Sequence, residues 1–191
     1  ELPLNHLYKV VFKEEHMVLP KDPEMKFDLQ DYYDYPEKYR SVFETYIPYL
    51  TVLVNCIYWT DQYPRLLTKS YLKESHMSLR LRVIGDISCD INGAIEFTEK
   101  STKCDNPVFV YNPLEDKIFD GYKGRGITVM AIDNLPCELP IESSGFFGNI
   151  LKKFVPEIAG ADYSADFEHL NLSPAIKDAL IVYRGKLVPD Y

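Results

Sequence analysis

The sequence predicts an α/β fold built on a mostly parallel sheet. Three apolar runs, at residues 50–59, 79–88 and 127–132, have the length and β-branched content of core strands. Helix-forming stretches lie between and after them. Each run then breaks into a polar or turn-forming segment: Asn55-Cys-Ile-Tyr-Trp59, Asp86-Ile-Ser-Cys-Asp90 and Ile132-Asp-Asn-Leu-Pro136. If the strands are parallel neighbours, these ends share one rim, and open α/β sheets bind ligands beyond the carboxyl ends of their strands.

Taken in order, the chain begins with a strand candidate at residues 7–12, followed by a polar segment. Residues 20–36 carry three prolines among many Asp and Tyr residues, and read as a connection with one helical turn at residues 29–33. Pro36-Glu37-Lys38 predicts a helix start, because Tyr39, Val42, Phe43 and Tyr46 form one apolar stripe at helical spacing. The run at 50–59 has the continuous apolar character of a strand buried on both faces. Thr68 is placed to cap a short helix through Lys73. After the run at 79–88 come shorter segments at 94–97 and 107–111, then a hairpin-like stretch at 117–124.

The chain is organised around residues 124–144. Glycines precede a buried strand at 127–132, a short Asp-Asn-Leu-Pro loop follows, and Pro140 with Glu142 marks the first turn of a helix at 140–154. Residues 160–172 are mixed in character. Ser173-Pro174 opens a last short helix to Ala179, with Ser173 as its N-cap, and a terminal hairpin turns at Arg184-Gly185.

The 191 residues suffice for one sizeable domain or two small ones. Hydrophobic residues at 46% and charged residues at 26% are ordinary for a globular chain. A net charge of -8 with no basic stripe argues against a nucleic-acid partner. No apolar run approaches the roughly 20 residues of a membrane span. Cys56, Cys89, Cys104 and Cys137 lack paired spacing and read as reduced thiols. Glu1-Leu2-Pro3 shows neither a signal-peptide pattern nor an Arg-rich presequence.

Motifs for most chemistries are absent: no P-loop, HExxH, paired CxxC or GxSxG occurs. His6, His16, His76 and His169 have no metal-ligand spacing, so no metal site is expected. The glycines at 121–126 precede a strand rather than a helix, which makes them a hairpin and not a phosphate-binding turn. The strand ends remain. Asn55, Asp86, Asp90 and Asp133 beside aliphatic side chains suit a nicotinamide ribose and ring: amide and carboxylate fix hydroxyls and carboxamide, and aliphatics cover the ring. They equally suit turn residues and helix caps.

At these residues the chain resembles a known family. Val52-Leu-Val-Asn-Cys-Ile-Tyr-Trp59, Gly85-Asp-Ile-Ser-Cys-Asp90 and Ala131-Ile-Asp-Asn-Leu-Pro-Cys-Glu-Leu-Pro-Ile-Glu-Ser143 are similar to the lysine-ketoglutarate reductase part of bifunctional α-aminoadipic semialdehyde synthases. They also resemble lysine-forming saccharopine dehydrogenases and, more distantly, alanine dehydrogenase and transhydrogenase. The resemblance extends from Tyr8-Lys-Val-Val to Tyr183-Arg-Gly-Lys-Leu-Val and implies the C-terminal half of a Rossmann-like nucleotide-binding domain. It implies an oxidoreductase that joins lysine to 2-oxoglutarate through an imine, which NADPH or NADH reduces to saccharopine.

By that resemblance Cys56, Ile57 and Tyr58 follow the adenosine-to-nicotinamide path. Ile87, Ile132, Asn134 and Leu135 contact the nicotinamide half, and Asp90 is the carboxylate beside the reacting centre. Residues 1–137 then belong to the nucleotide domain; residues 138–191 supply an interdomain helix and a return segment packing toward the substrate domain. The family's pyrophosphate turn, the residue that selects NADH or NADPH, and the lysine and histidine acid/base pair have no counterpart here. The implied partners are small molecules, with no nucleic acid and no membrane, and the full-length enzyme is expected to form a homo-oligomer. An animal bifunctional form would place it in the mitochondrial matrix, and other forms in the cytoplasm. Two further readings stay open: a catalytically silent nucleotide-binding or regulatory module, and an alanine-dehydrogenase-like enzyme.

Overall fold

The computed structural model describes residue 3, residues 5–75 and residues 79–189. The expectations placed on Glu1-Leu2 and on His76 fall outside these residues. The chain divides into two units, Glu1–Leu135 and Pro136–Tyr191.

The first unit opens with helix α1 (Glu14–Met17) and strand β1 (Val18–Pro20). Helix α2 (Leu29–Asp34) starts at Asp28, whose carboxylate accepts the Asp31 N–H, so the helical turn expected near residue 29 forms with an acidic cap. A 3-10 turn at Pro36–Lys38 leads into strand β2 (Tyr39–Ser41), which pairs antiparallel with β1. A seven-residue 3-10 helix, Phe43–Tyr49, follows.

Two expectations fail in this segment. Residues 7–12 form no strand, because no partner strand takes up their backbone groups; Leu7, Val10 and Val11 are exposed, and only Phe12 is anchored, edge-on to Phe43 at 5.0 Å. The apolar stripe Tyr39, Val42, Phe43, Tyr46 is split between β2 and the 3-10 helix. Tyr39 and Phe43 are buried as the stripe predicts, but the backbone hydrogen bonds of β2 go to β1, and Pro48 has no N–H to continue an α-helix.

The main sheet has five strands: β3 (Val52–Asn55), β4 (Val83–Asp86), β5 (Val108–Asn112), β6 (Lys117–Asp120) and β7 (Ile127–Met130). Their order is β3-β4-β7-β5-β6, with helix α3 (Lys69–Ser75) between β3 and β4 in the chain. Thr68 caps α3 as expected, its Oγ1 accepting the Tyr71 N–H at 3.3 Å. β3, β4 and β7 pair parallel, while β5 is antiparallel to both β7 and β6. Four strands therefore point one way and β5 alone is reversed, which makes the sheet Rossmann-like and mostly parallel. The organising run at 127–132 supplies the central strand β7, flanked by β4 and β5.

The apolar runs are longer than their strands. After Asn55 the chain leaves the ladder as Ile57 N–H turns back to Asn55 Oδ1 at 3.4 Å. Residues 94–97 make a single parallel bridge, Ile95 to Leu67, and no strand. β3 is also not buried on both faces. Leu53 and Asn55 face the core, while Val52 and Val54 are more than half exposed, because β3 lies at a sheet edge with one face uncovered. The core is the opposite face, where Leu53, Ile84, Val129, Phe109 and Phe97 are shut from solvent and Phe97 stacks on Tyr111 at 4.6 Å.

The second unit contains α4 (Pro140–Leu151), α5 (Val155–Gly160), α6 (Pro174–Lys177) and the two-residue strands β8 (Val182–Tyr183) and β9 (Lys186–Leu187). Pro140 and Glu142 occupy the first turn of α4 as read from sequence, but α4 stops before Phe154, and α5 carries the helical segment on. Ser173 does not cap α6 with its side chain. Its N–H goes to Glu157, and its hydroxyl is buried without a partner. The terminal hairpin forms as predicted, with Arg184 and Gly185 both at positive φ, 50° and 80°.

Phe97→Ala should lower stability by about 3–5 kcal/mol, since a fully buried ring leaves a cavity and a lost stack. Tyr122→Ala, at an exposed ring, should stay within about 0.5 kcal/mol. Denaturant midpoints of the two variants check the contrast.

Candidate nucleotide-site rim

The parallel strands β3, β4 and β7 end side by side, so the segments 55–59, 86–90 and 132–136 lie along one rim. The structure holds that rim from beneath. Asn55 sits opposite Asp86 in the β3–β4 register, and its Nδ2 donates to Asp86 Oδ1 at 2.8 Å. Thr98 Oγ1 donates to Asp86 Oδ2 at 2.6 Å, and the Cys89 N–H donates to Oδ1 at 3.3 Å. All three side chains, Asn55, Asp86 and Thr98, are buried. A buried carboxylate needs such donors, since an unpaired one costs several kcal/mol.

The loops are tied in turn. Ser88 Oγ donates to the Ile57 carbonyl at 2.6 Å, joining the β3 and β4 ends. Cys89 Sγ donates to the Ala131 carbonyl at 3.0 Å, joining β4 to β7. Thr102 binds the same stretch: its N–H donates to Ala131 O at 2.7 Å, and its Oγ1 accepts the Ala131 N–H at 3.2 Å. Cys89 is held at φ 54°, which turns the chain sharply off β4.

Asp90 begins the tight turn Asp90-Ile-Asn-Gly93, closed by the Gly93 N–H to Asp90 O at 2.9 Å. A Cβ on Gly93 would stand 2.4 Å from the Asp90 Cβ, so glycine is required there. Burial raises the Asp90 carboxyl above its ordinary range, and the nearby Asp86 charge adds to the effect. The Cys89 thiol is pushed up to about 11, first by burial and then by Asp86, Asp133 and Asp90. It is therefore a protonated donor at neutral pH and not a thiolate nucleophile.

The expected site residues separate into two levels. Asn55, Asp86 and Ile132 are buried below the rim, where Asn55 and Asp86 are spent on each other and on Thr98. Cys56, Tyr58 and Asn134 are exposed on it; Ile57, Ile87, Asp90 and Leu135 are half-buried. The sequence reading missed Thr98, Ser88 and Thr102, which carry the bracing. Nothing local marks them: Thr98 meets a carboxylate twelve positions earlier, and Thr102 meets a backbone 29 positions later.

The accessible set comprises the aliphatic Ile57, Ile87 and Leu135, the amide of Asn134 and the carboxyl of Asp90, all in the loops that end β3, β4 and β7. That fits a flat, partly apolar ring bearing a carboxamide. No glycine-rich strand-to-helix turn stands near it among the described residues, so a pyrophosphate finds no cradle here. No group of His, Cys, Asp and Glu among the described residues could hold a metal ion.

A mostly parallel α/β sheet with its strand ends gathered on one rim defines a Rossmann-like class of domain. Residues 37–190 match the family model for the alanine dehydrogenase/PNT C-terminal domain, and the chain belongs to that family. It is 41% identical over 97% of its length to an α-aminoadipic semialdehyde synthase of Arabidopsis thaliana, covering 17% of that protein. It is 36% identical over 98% of its length to the mitochondrial α-aminoadipic semialdehyde synthase of Mus musculus, covering 22% of that protein. A saccharopine dehydrogenase (NAD+, L-lysine-forming) of Emericella nidulans is 30% identical over 70% of the chain and 33% of that protein. The chain thus spans about a fifth of the synthases it matches.

Asp90→Asn tests the electrostatics without any ligand. A carboxyl whose pKa is raised by folding favours the fold when protonated, and that contribution is lost as pH rises through the folded value. The variant should therefore be at least as stable as the parent at pH 7, with that advantage shrinking as pH falls through the carboxylate range; paired thermal melts across that range check it. In alkylation followed by peptide mapping, exposed Cys56 and Cys137 should react well before Cys89.

Proposed function

We propose that this chain is part of an oxidoreductase that reductively condenses L-lysine with 2-oxoglutarate to saccharopine, or runs the reverse, with NADPH or NADH, in lysine metabolism. The observation that carries the reading is the 41% identity to an α-aminoadipic semialdehyde synthase over 97% of the chain. The rim supports it, because partly exposed aliphatic side chains and one half-buried carboxyl lie in the loops that end its parallel strands.

In this reading the bound nicotinamide supplies or takes up the hydride. Ile57, Ile87 and Leu135 cover the ring and keep water from one face, and Asn134 orients the carboxamide. Cys56 and Tyr58 line the path toward the adenosine. Asn55, Asp86 and Ile132 act as positioning residues from below, the first two by fixing the spacing of the β3 and β4 ends. Asp90 is the catalytic residue of this chain: its carboxylate stabilises a protonated imine or cationic side chain next to the hydride path. Its partial burial strengthens that interaction and raises the cost of holding the charge alone.

Residues 1–137 then form part of the nucleotide domain, and residues 138–191 carry the interdomain helix and return segment. The character of α4 supports this, since Ile141, Phe146, Phe147 and Ile150 are all exposed and none of its residues is buried. The pyrophosphate turn, the acid/base pair and the substrate domain belong to other parts of the natural polypeptide, so this stretch alone should be inactive. A homo-oligomeric full-length enzyme completes the proposal, located in the mitochondrial matrix if it is an animal bifunctional form, as the names of the mammalian relatives suggest, and otherwise in the cytoplasm.

The test is an assay of the natural polypeptide with lysine, 2-oxoglutarate and reduced nicotinamide. Asp90→Asn should cut turnover by at least about 100-fold while changing cofactor affinity little. Equal losses in both, or none in either, would remove Asp90 from its role. Turnover of pyruvate with ammonia in place of lysine would favour an alanine-dehydrogenase-like enzyme, and no turnover with either would favour a silent module.

A further inference from the structure

The opposite end of the sheet carries a second concavity that the rim does not use. It lies where the chain enters β4 and β7, one strand length from Asp86 and about 13 Å from the rim at roughly 3.3 Å per residue. Its volume is about 240 Å3. That is below the roughly 300–1,000 Å3 of pockets for drug-sized ligands, so it suits a smaller molecule. Leu79, Leu81, Ile127 and Leu114 supply apolar walls.

Its charge is the informative feature. Two arginines, Arg82 and Arg125, are among the residues that line it, and no Asp or Glu is. Neither arginine has a carboxylate partner in the ion pairs among the described residues. The chain carries 29 acidic residues against 21 basic ones, so an acid-free concavity with two unpaired guanidiniums runs against its overall composition. A guanidinium fork matches the two oxygens of a carboxylate, and two forks over an apolar wall select an anion with an aliphatic body.

Local backbone keeps the space open. Arg125 stands between Gly124 and Gly126, at φ 148° and 144°. A Cβ on Gly126 would lie 2.0 Å from the Tyr111 carbonyl, so no side chain can occupy that position. Asn112, also on the wall, is already committed: its Nδ2 donates to Glu115 and its Oδ1 accepts the Leu114 N–H. It fixes the loop and leaves anion binding to the two arginines.

We propose that this concavity is a binding site for a small aliphatic carboxylate, held by Arg82 and Arg125 with its carbon chain against Leu79, Leu81 and Ile127. The proposal does not depend on the reaction assigned to the rim. The probe is isovalerate, titrated by calorimetry and ligand-observed NMR into the natural polypeptide that contains this chain. Saturable one-to-one binding is expected, weakened about tenfold or more by Arg82→Gln with Arg125→Gln. Both arginines are exposed, so unchanged thermal melting shows that the double variant is folded. Leu114→Asp, which places a carboxylate at an exposed position of the mouth, should weaken binding similarly while leaving both arginines in place. Absence of saturable binding, or binding equal in parent and variants, would overturn the site. Displacement of isovalerate by inorganic phosphate at equal concentration would overturn the carboxylate assignment, because the walls would then play no part.

Discussion

The buried carboxylate of Asp86 is the interaction on which the rim depends. It gathers donors from β3 through Asn55, from its own turn through the Cys89 N–H, and from a distant loop through Thr98. Each bond would contribute little at the surface, but in the interior the alternative is an orphaned charge. The arrangement is therefore all or nothing: removing one donor leaves the others less able to hold the carboxylate, and the ends of β3 and β4 lose their fixed spacing. The Cys89 and Ser88 contacts then extend the brace sideways, to β7 and to the loop after β3. Loops at the strand ends are positioned here by polar groups packed beneath them.

The same carboxylate shapes the electrostatics above it. Asp86 is one of the charges that raise both the Cys89 thiol and the Asp90 carboxyl. The brace thus makes the chain hold a second carboxylate in an unfavourable place, at the first position of a turn that admits only glycine at its fourth. A partly desolvated acid at the carboxyl ends of parallel strands serves stability poorly, and on the proposed reading it meets a cationic partner there. Buried Asn55 and Asp86 are better understood as the floor of the rim than as contacts on its surface.

The legible parts of the sequence were those whose cause is local. The β7 run, the Pro140 helix start and the Arg184-Gly185 hairpin each follow from side chains within a few positions of one another, and each appears in the structure. The stripe Tyr39, Val42, Phe43, Tyr46 misled because burial alone does not distinguish an α-helix from a strand followed by a 3-10 helix; pairing with β1 decided it. Residues 7–12 had strand composition but no partner, which a single segment cannot reveal. At the rim, the juxtaposition of the strand ends was legible and their bracing was not, since Thr98 and Thr102 act across distances in sequence that carry no pattern.

β3 forms one edge of the main sheet, and the rim begins at its carboxyl end. Val52 and Val54 are exposed on a strand with an unpaired outer edge, an arrangement that sheets ordinarily cover. In a doubly wound sheet the ligand crevice opens at the switch point, where strand order reverses, and the strand on the far side carries the phosphate turn. On the proposed reading, β3 is the strand next to that point. Cys56 and Tyr58, exposed just past its end, then face a crevice whose second wall is a strand from elsewhere in the natural polypeptide. That one strand would pair the open edge and bring the pyrophosphate cradle that the rim lacks.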